Sequence, residues 1–180
     1  MADIPTNFSS SYNSFITEVK FSGSINSIGD NAFIWAGNCE RIDLTSLVEN
    51  IGINALYNNF IMQGDIKLTN LKNLGTGTFT HTAITSFEIS GNSTIDTLPT
   101  GILDACGYLT SVILGKNIEH IGNIALQNAG NNPDNQSLAT NLEILGKIKS
   151  IGDSAFYNSH IIGNFVFDYL ESVGVNVFNV

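Results

Sequence analysis

The side chains in this chain that could carry out chemistry are few and far apart. Three histidines (His81, His120, His160), two cysteines (Cys39, Cys106) and the carboxylates Asp43 and Glu88 are the groups to place first. Histidines could hold a metal if they converged within a few ångströms. Two thiols could form a disulfide if their α-carbons came within about 7 Å. Two carboxylates could act as a glycosidase pair, with the looser separation up to about 9.5 Å suited to an inverting mechanism. Whether any of these groups meet depends on the elements that carry them.

Those elements repeat. The stretch Ile28-Gly29-Asp30-Asn31-Ala32-Phe33 recurs in variant form from Ile51, Leu74, Leu98, Ile121, Ile151 and Val173. The spacing is even except for one longer step, between Ile121 and Ile151. A period in the twenties is the signature of a stacked-repeat architecture. Three residues before each of these anchors stands another apolar residue: Ile25, Val48, Leu71, Ile95, Ile118, Ile148 and Leu170. The Gly that usually follows the anchor permits a tight turn; Pro99 takes its place in the fourth copy, with a fixed φ to serve the bend. Upstream of each anchor lies a short alternating run, such as Val19-Lys20-Phe21, Ile66-Lys67-Leu68, Phe87-Glu88-Ile89 and Phe165-Val166-Phe167. Period two marks a strand with one buried face.

The predicted fold is therefore a repeat solenoid of seven rungs over residues 18–180. A parallel β-sheet with one short strand per rung forms one face, and turns, 3₁₀ or helical pieces form the other. Residues 1–17 are a separate N-terminal cap or linker, with Phe8, Tyr12, Phe15 and Ile16 available to cover the first rung. The long fifth interval holds a loop insertion at about 129–140, rich in Gly, Asn and Pro.

This pattern resembles the BspA-type leucine-rich repeats, whose unit reads roughly L-T-S-V-x-L-x-x-x-I-x-x-I-G-x-x-A-F-x-x-C. The segment from Leu109-Thr110-Ser111-Val112 through Ile121-Gly122-Asn123-Ile124-Ala125-Leu126 follows it closely. The cysteine that ends the unit stands at Cys106, and Ala36, Asn59, Thr82, Ala129 and Ser159 take its place elsewhere. The resemblance implies protein recognition or adhesion at bacterial and protist cell surfaces. It brings no catalytic residues, and a cytoplasmic or virion location stays open beside a surface or secreted one.

With rungs about 4.8 Å apart, the chemistry can be judged. Asp43 and Glu88 stand two rungs apart, about 10 Å at that rise, with Lys67 between them to hold both ionised. Cys39 and Cys106 stand three rungs apart, about 14 Å, and read as buried thiols. The histidines fall in different rungs and columns. No phosphate loop or nucleophile elbow is present. The expectation is a non-enzyme with no catalytic residues, no metal and no cofactor.

Strand alternation then defines the wet face of the sheet. Its central outward column is Lys20, Asp43, Lys67, Glu88, Ile113, Glu143 and Val166, either a charge ladder that fixes register or a binding face on which Ile113, Glu143 and Val166 form a small mixed patch that a partner covers. The flanking columns are small and polar, with no Trp or Tyr. Interfaces rely on those types for anchors, so weak or repeated contacts fit this face better than a single tight one.

Acidic residues outnumber basic ones 16 to 7, a net charge of -9, which opposes binding to nucleic acid and to anionic membranes. No stretch of eighteen apolar residues would insert into a bilayer. The expected partner is a protein, a surface glycan or another copy of the chain. For the last case Val175, Val177, Phe178 and Val180 offer an apolar rung end, as in a structural subunit of an oligomer or virus particle.

Overall fold

The computed structural model describes residues 2–9, 16–20, 25–42, 44, 47–132 and 138–178. Among them run fifteen short strands: β1 (Ala2–Ile4), β2 (Glu18–Val19), β3 (Ile25–Ile28), β4 (Arg41–Ile42), β5 (Asn50–Ile51), β6 (Gln63–Leu68), β7 (Asn73–Leu74) and β8 (Ala83–Ile89), then β9 (Thr97–Leu98), β10 (Ser111–Leu114), β11 (His120–Ile121), β12 (Thr140–Ile144), β13 (Ser150–Ile151), β14 (Ile161–Ile162) and β15 (Ser172–Val173). Every pairing is parallel and joins one rung to the next.

The rungs stack as a β-solenoid, but each contributes two strands rather than the one expected. The outward sheet runs β6-β8-β10-β12-β14, with β2-β4 as a separate pair. The second ladder is built from the anchors themselves, as β1-β3-β5-β7 and then β9-β11-β13-β15. It arises because the residue after each anchor donates its N–H to the anchor carbonyl one rung back. Gly52 to Ile28, Gly75 to Ile51 and Gly122 to Leu98 all measure 2.8 Å. A side chain at Gly75 would lie on the backbone of Gly52 and Ile53, so the close approach of the rungs requires glycine there. Pro99 has no N–H to give to Leu74. The anchor ladder breaks between β7 and β9 for that reason.

No helix occurs among the described residues, and the far side of the rungs is made of turns. The backbone explains why. The third residue after the anchor is left-handed in all seven rungs (Asn31, Asn54, Gly77, Gly101, Ile124, Ser154, Asn176), and so is the seventh in six of them (Trp35, Asn58, His81, Ala105, Asn128, Asn158). A left-handed residue every four positions stops helix propagation. The freed N–H groups bond to the next rung instead: Asn31 to Ile53, Phe33 to Ala55 and Trp35 to Tyr57, at 2.8–3.0 Å. The turn side is thus cross-linked between rungs almost as fully as the sheets are.

Inside, one column of side chains runs the length of the stack. Ile28, Ile51, Leu98, Ile121 and Ile151 line it from the anchor strand, and Phe33, Leu56, Phe79, Leu103, Leu126 and Phe156 from the turns. Each such burial stabilises by about 1.5–3 kcal/mol, and no rung could achieve it alone. The corner after the turns is filled as the sequence suggests, by Ala36, Asn59, Thr82, Cys106 and Ala129, all buried. Its polar members donate to the backbone: Asn59 Nδ2 to Phe33 O (2.9 Å), Thr82 Oγ1 to Phe79 O (2.8 Å) and Cys106 Sγ to Phe79 O (3.1 Å). Cys39 and Cys106 are both free and buried.

The stack starts earlier than residue 18. β1 pairs with β3, Asn7 is left-handed like the third residue of every anchor, and the Phe8 ring meets Phe33 edge-on at 5.7 Å. Ile4-Pro5-Thr6-Asn7-Phe8 is therefore a further anchor, one repeat length before Ile28 and close in type to Leu98-Pro99-Thr100-Gly101-Ile102. Tyr12 and Phe15 lie outside the described residues, as does the centre of the insertion, 133–137.

Candidate functional site

The outward sheet column is assembled largely in the expected register. Lys67, Glu88, Ile113 and Glu143 are direct neighbours on β6, β8, β10 and β12. Lys67 Nζ lies 2.9 Å from Glu88 Oε1, and Lys20 is paired to Glu18 at 2.8 Å. Asp43 lies outside the described residues. Val166 points outward and is 78 % exposed, but it does not belong to the sheet. The final strand lies upstream at Ile161–Ile162, and the chain leaves the ladder at Gly163, where the backbone passes tightly over the Leu142 carbonyl. Phe165 and Phe167 still turn inward, with their rings stacked at 6.1 Å.

This face satisfies its own charges. Asp65 accepts hydrogen bonds from Ser86 (2.6 Å) and Thr85 (3.1 Å), and these donors hold its carboxyl below the usual range. The Ser90 hydroxyl lowers Glu88 in the same way, against a weaker opposing effect of burial, and Lys67 adds smaller lowering contributions. Among the described residues of this column, only Glu143, exposed and next to the half-buried Ile113, is left without a charge partner.

The apolar end residues are not equivalent. Val175 and Phe178 are exposed, and Phe178 stacks on Phe156 at 5.1 Å. Val177 is a correction: it is only 6 % exposed, because it occupies the inward position held by Ala32 and Ala55 in earlier rungs. Val180 lies outside the described residues.

The histidines do not converge. His120 Nδ1 shares a hydrogen bond with Ser150 Oγ (2.8 Å), and His160 Nδ1 is buried with no hydrogen-bond partner among the described residues. Among the described residues no group of three His, Cys, Asp or Glu could hold a metal ion. His81 has a different setting, in a surface that sequence reasoning missed.

That surface is the corner where the turns meet the sheet, over the first three full rungs. Trp35, Tyr57, Phe60 and His81 form a connected ring cluster. Trp35 meets Tyr57 and Phe60 at 6.2 Å each, Tyr57 meets His81 at 6.1 Å, and Phe60 meets His81 at 5.8 Å. Trp35 is 46 % and Phe60 52 % exposed, and Ile61 beside them is also exposed. Trp35, Asn58 and His81 occupy the same left-handed seventh position in successive rungs. Asn tolerates that backbone, whereas a large aromatic is held there at a cost of about 1–2 kcal/mol. The spacing was readable: position seven after the anchor gives Trp35, Asn58, His81, Ala105, Asn128 and Asn158 in one file.

Polar groups border the rings. His81 Nδ1 donates to Asn58 Oδ1 (2.7 Å), and the His81 N–H donates to the Asp104 carbonyl in the next rung (2.9 Å). The Asp104 carboxyl is half-buried, and burial raises its pKa against the weaker effects of Asn128 and His81. Asn128 Nδ2 stands 3.4 Å from it, at the limit of a hydrogen bond. On the opposite side an open depression runs from Ile61 past Gln63 and Thr85 to Glu40 and Arg41.

Comparison with known families matches the chain to the BspA type leucine rich repeat region, in six copies over residues 6–132 and 134–180. Among solved structures, it is similar to a leucine-rich repeat protein from Bacteroides ovatus ATCC 8483. Identity is 16 %, the match covers 92 % of this chain and 72 % of that one, and the TM-score is 0.31. No curated protein matches in sequence.

Proposed function

Since this chain belongs to the BspA-type leucine-rich repeat family, we propose that it is a non-enzymatic module for recognising another protein, and that the aromatic corner makes the contact. The observation behind this reading is the cluster Trp35, Tyr57, Phe60 and His81. Trp and Tyr are among the residue types that most often anchor interfaces, and here an exposed Trp35, held on a left-handed backbone, is gathered with the half-buried Tyr57 and the exposed Phe60. The sheet column lacks such anchors, and among its described charges Lys20, Lys67 and Glu88 are already paired, leaving Glu143. It serves register more than recognition.

The experiment is site-directed photo-crosslinking in the cells that make the protein. A photoreactive phenylalanine analogue at position 60 is expected to give a discrete adduct with a second protein, and the same analogue at position 88 none. Adducts from 88 and not from 60 would overturn the choice of surface. Adducts only between copies of this chain would favour assembly instead, for which Val173, Val175 and Phe178 are the exposed apolar side chains. Light scattering over a concentration series checks that outcome, since a monomer at all concentrations excludes it.

A further inference from the structure

The corner has an electrostatic character that narrows the partner. The chain carries a net charge of -9, and most of its seven cationic side chains are occupied. Lys20, Lys67, Lys72 and Lys149 are each bridged to a glutamate, and Lys147 sits 4.6 Å above the Tyr169 ring. Arg41, at the far rim of the depression beside Ile61, faces Glu18 directly across the strand pair and has Glu40 next to it in sequence. No lysine or arginine is within the ring cluster. The Asp104 carboxyl, one rung beyond His81, has no cation bridged to it among the described residues.

Aromatic faces attract cations, and more strongly where water is thinned out. The half-buried Asp104 carboxylate, one rung beyond His81, has the same requirement. Its raised pKa reports that the ionised form is incompletely compensated, a condition that an approaching cation relieves. The chain already makes one contact of this kind internally, Lys147 on Tyr169.

Building on the reading of the corner as the contact surface, we propose that it docks an arginine-bearing basic segment of a partner protein. Guanidinium groups lie on the Trp35, Tyr57 and Phe60 rings, and one of them pairs with Asp104. Arginine is favoured over lysine because its planar group stacks on rings and bonds a carboxylate through two N–H groups at once.

Trp35 is the only tryptophan, so its fluorescence reports from this corner alone. The test titrates the full chain with hexa-arginine, hexa-lysine, hexa-glutamate and a neutral oligosaccharide, maltohexaose, following Trp35 emission and, for the variants, heat of binding. Hexa-arginine is expected to saturate the signal, hexa-lysine to bind several-fold more weakly, and the other two to leave it unchanged. Asp104→Asn and Phe60→Ala are each expected to weaken hexa-arginine by about tenfold, with circular dichroism and melting temperature kept. Trp35→Asn, which suits the left-handed backbone, checks the same loss without risk to folding. Equal affinity in Phe60→Ala would mean attraction spread over the whole acidic surface, and would overturn the proposal. So would saturation by maltohexaose in place of hexa-arginine. If hexa-arginine fails while position 60 still crosslinks to a partner, the corner remains the contact surface and only its preference for basic segments falls.

Discussion

The sheet face and the turn-side corner treat their acids in opposite ways. On the sheet, Asp65 is held below the usual carboxylate range by the Ser86 and Thr85 hydroxyls of the next strand, and Glu88 by Ser90 just past the end of its own strand and, more weakly, by Lys67. At the corner, burial pushes Asp104 upward and takes the Cys106 thiol from 9.0 to about 11. The same repeat produces both. Strand side chains at equal height in adjacent rungs meet as pairs and neutralise one another. The corner acids Asp104 and Cys106 flank the left-handed Ala105, and desolvation there outweighs the hydrogen bonds they share with Asn128 and Thr82. A surface that completes its own chemistry has little left to offer a partner. The corner retains both apolar area and an undercompensated charge.

The largest expected effect removes the support common to both regions. Phe79 lies in the turn directly before Thr80 and His81, and its ring packs edge-on against Phe87 of β8 at 5.6 Å. Phe79→Ala should cost about 3–5 kcal/mol, through lost burial and the cavity left behind. Urea denaturation checks this, and both the Lys67–Glu88 pair and the ring cluster should loosen with it. If the loss is under about 1 kcal/mol, in the range of an ordinary substitution, the two surfaces do not share one core.

A second effect separates the regions by pH. The Cys106 thiol has a folded pKa of about 11 against 9.0 unfolded, chiefly from burial. A raised folded pKa means stability that is complete below pH 9 and lost as pH climbs through 11. At about 1.4 kcal/mol per unit, the ceiling is roughly 3 kcal/mol. Cys39 is shifted in the same direction. Alanine already fills the Cys106 position in two other rungs, at Ala36 and Ala129. Cys106→Ala should therefore remove most of the Cys106 contribution to alkaline loss, while the sheet carboxylates, which titrate in acid, are unaffected. Parallel losses between pH 9 and 11 in parent and variant would show that the thiol is not the group responsible.

These contrasts also mark what could be read from the sequence. The period, the inward column and the parallel strands followed from apolar spacing alone, because a side-chain period fixes which face is buried. The second ladder was hidden in the anchor itself, where in most rungs only two residues are extended and no alternation shows. The opening rung was missed because Ile4-Pro5-Thr6-Asn7-Phe8 has Pro and Phe where the other copies tend to have Gly and Ala, although Leu98-Pro99-Thr100-Gly101 offered the template. In the last rung, alternation correctly turned Val166 outward but placed it in a strand that ends at Ile162. The aromatic corner escaped for a different reason. Its members come from positions six, seven and nine after the anchor, and these adjoin only because the turn is left-handed at position seven. No hydropathy period encodes that geometry.

The smallest effect tests whether the sheet face is as self-contained as its contacts indicate. Lys67 and Glu88 face each other on β6 and β8 with Nζ 2.9 Å from Oε1, yet the lysine side chain is 60 % exposed and its partner 23 %. Solvent screens such a pair, and cross-strand couplings of this kind contribute about 0.2–1 kcal/mol. Ser90 is the larger stabiliser of the Glu88 charge, so the glutamate keeps most of its compensation when the lysine is removed. A double-mutant cycle on Lys67→Met and Glu88→Gln should then give a coupling below about 1 kcal/mol that shrinks further in salt. Neither variant should change hexa-arginine binding at the corner. A coupling above about 2 kcal/mol, as found within connected charge networks, or a matching loss of binding, would join the two regions into one electrostatic unit and end the contrast drawn between them.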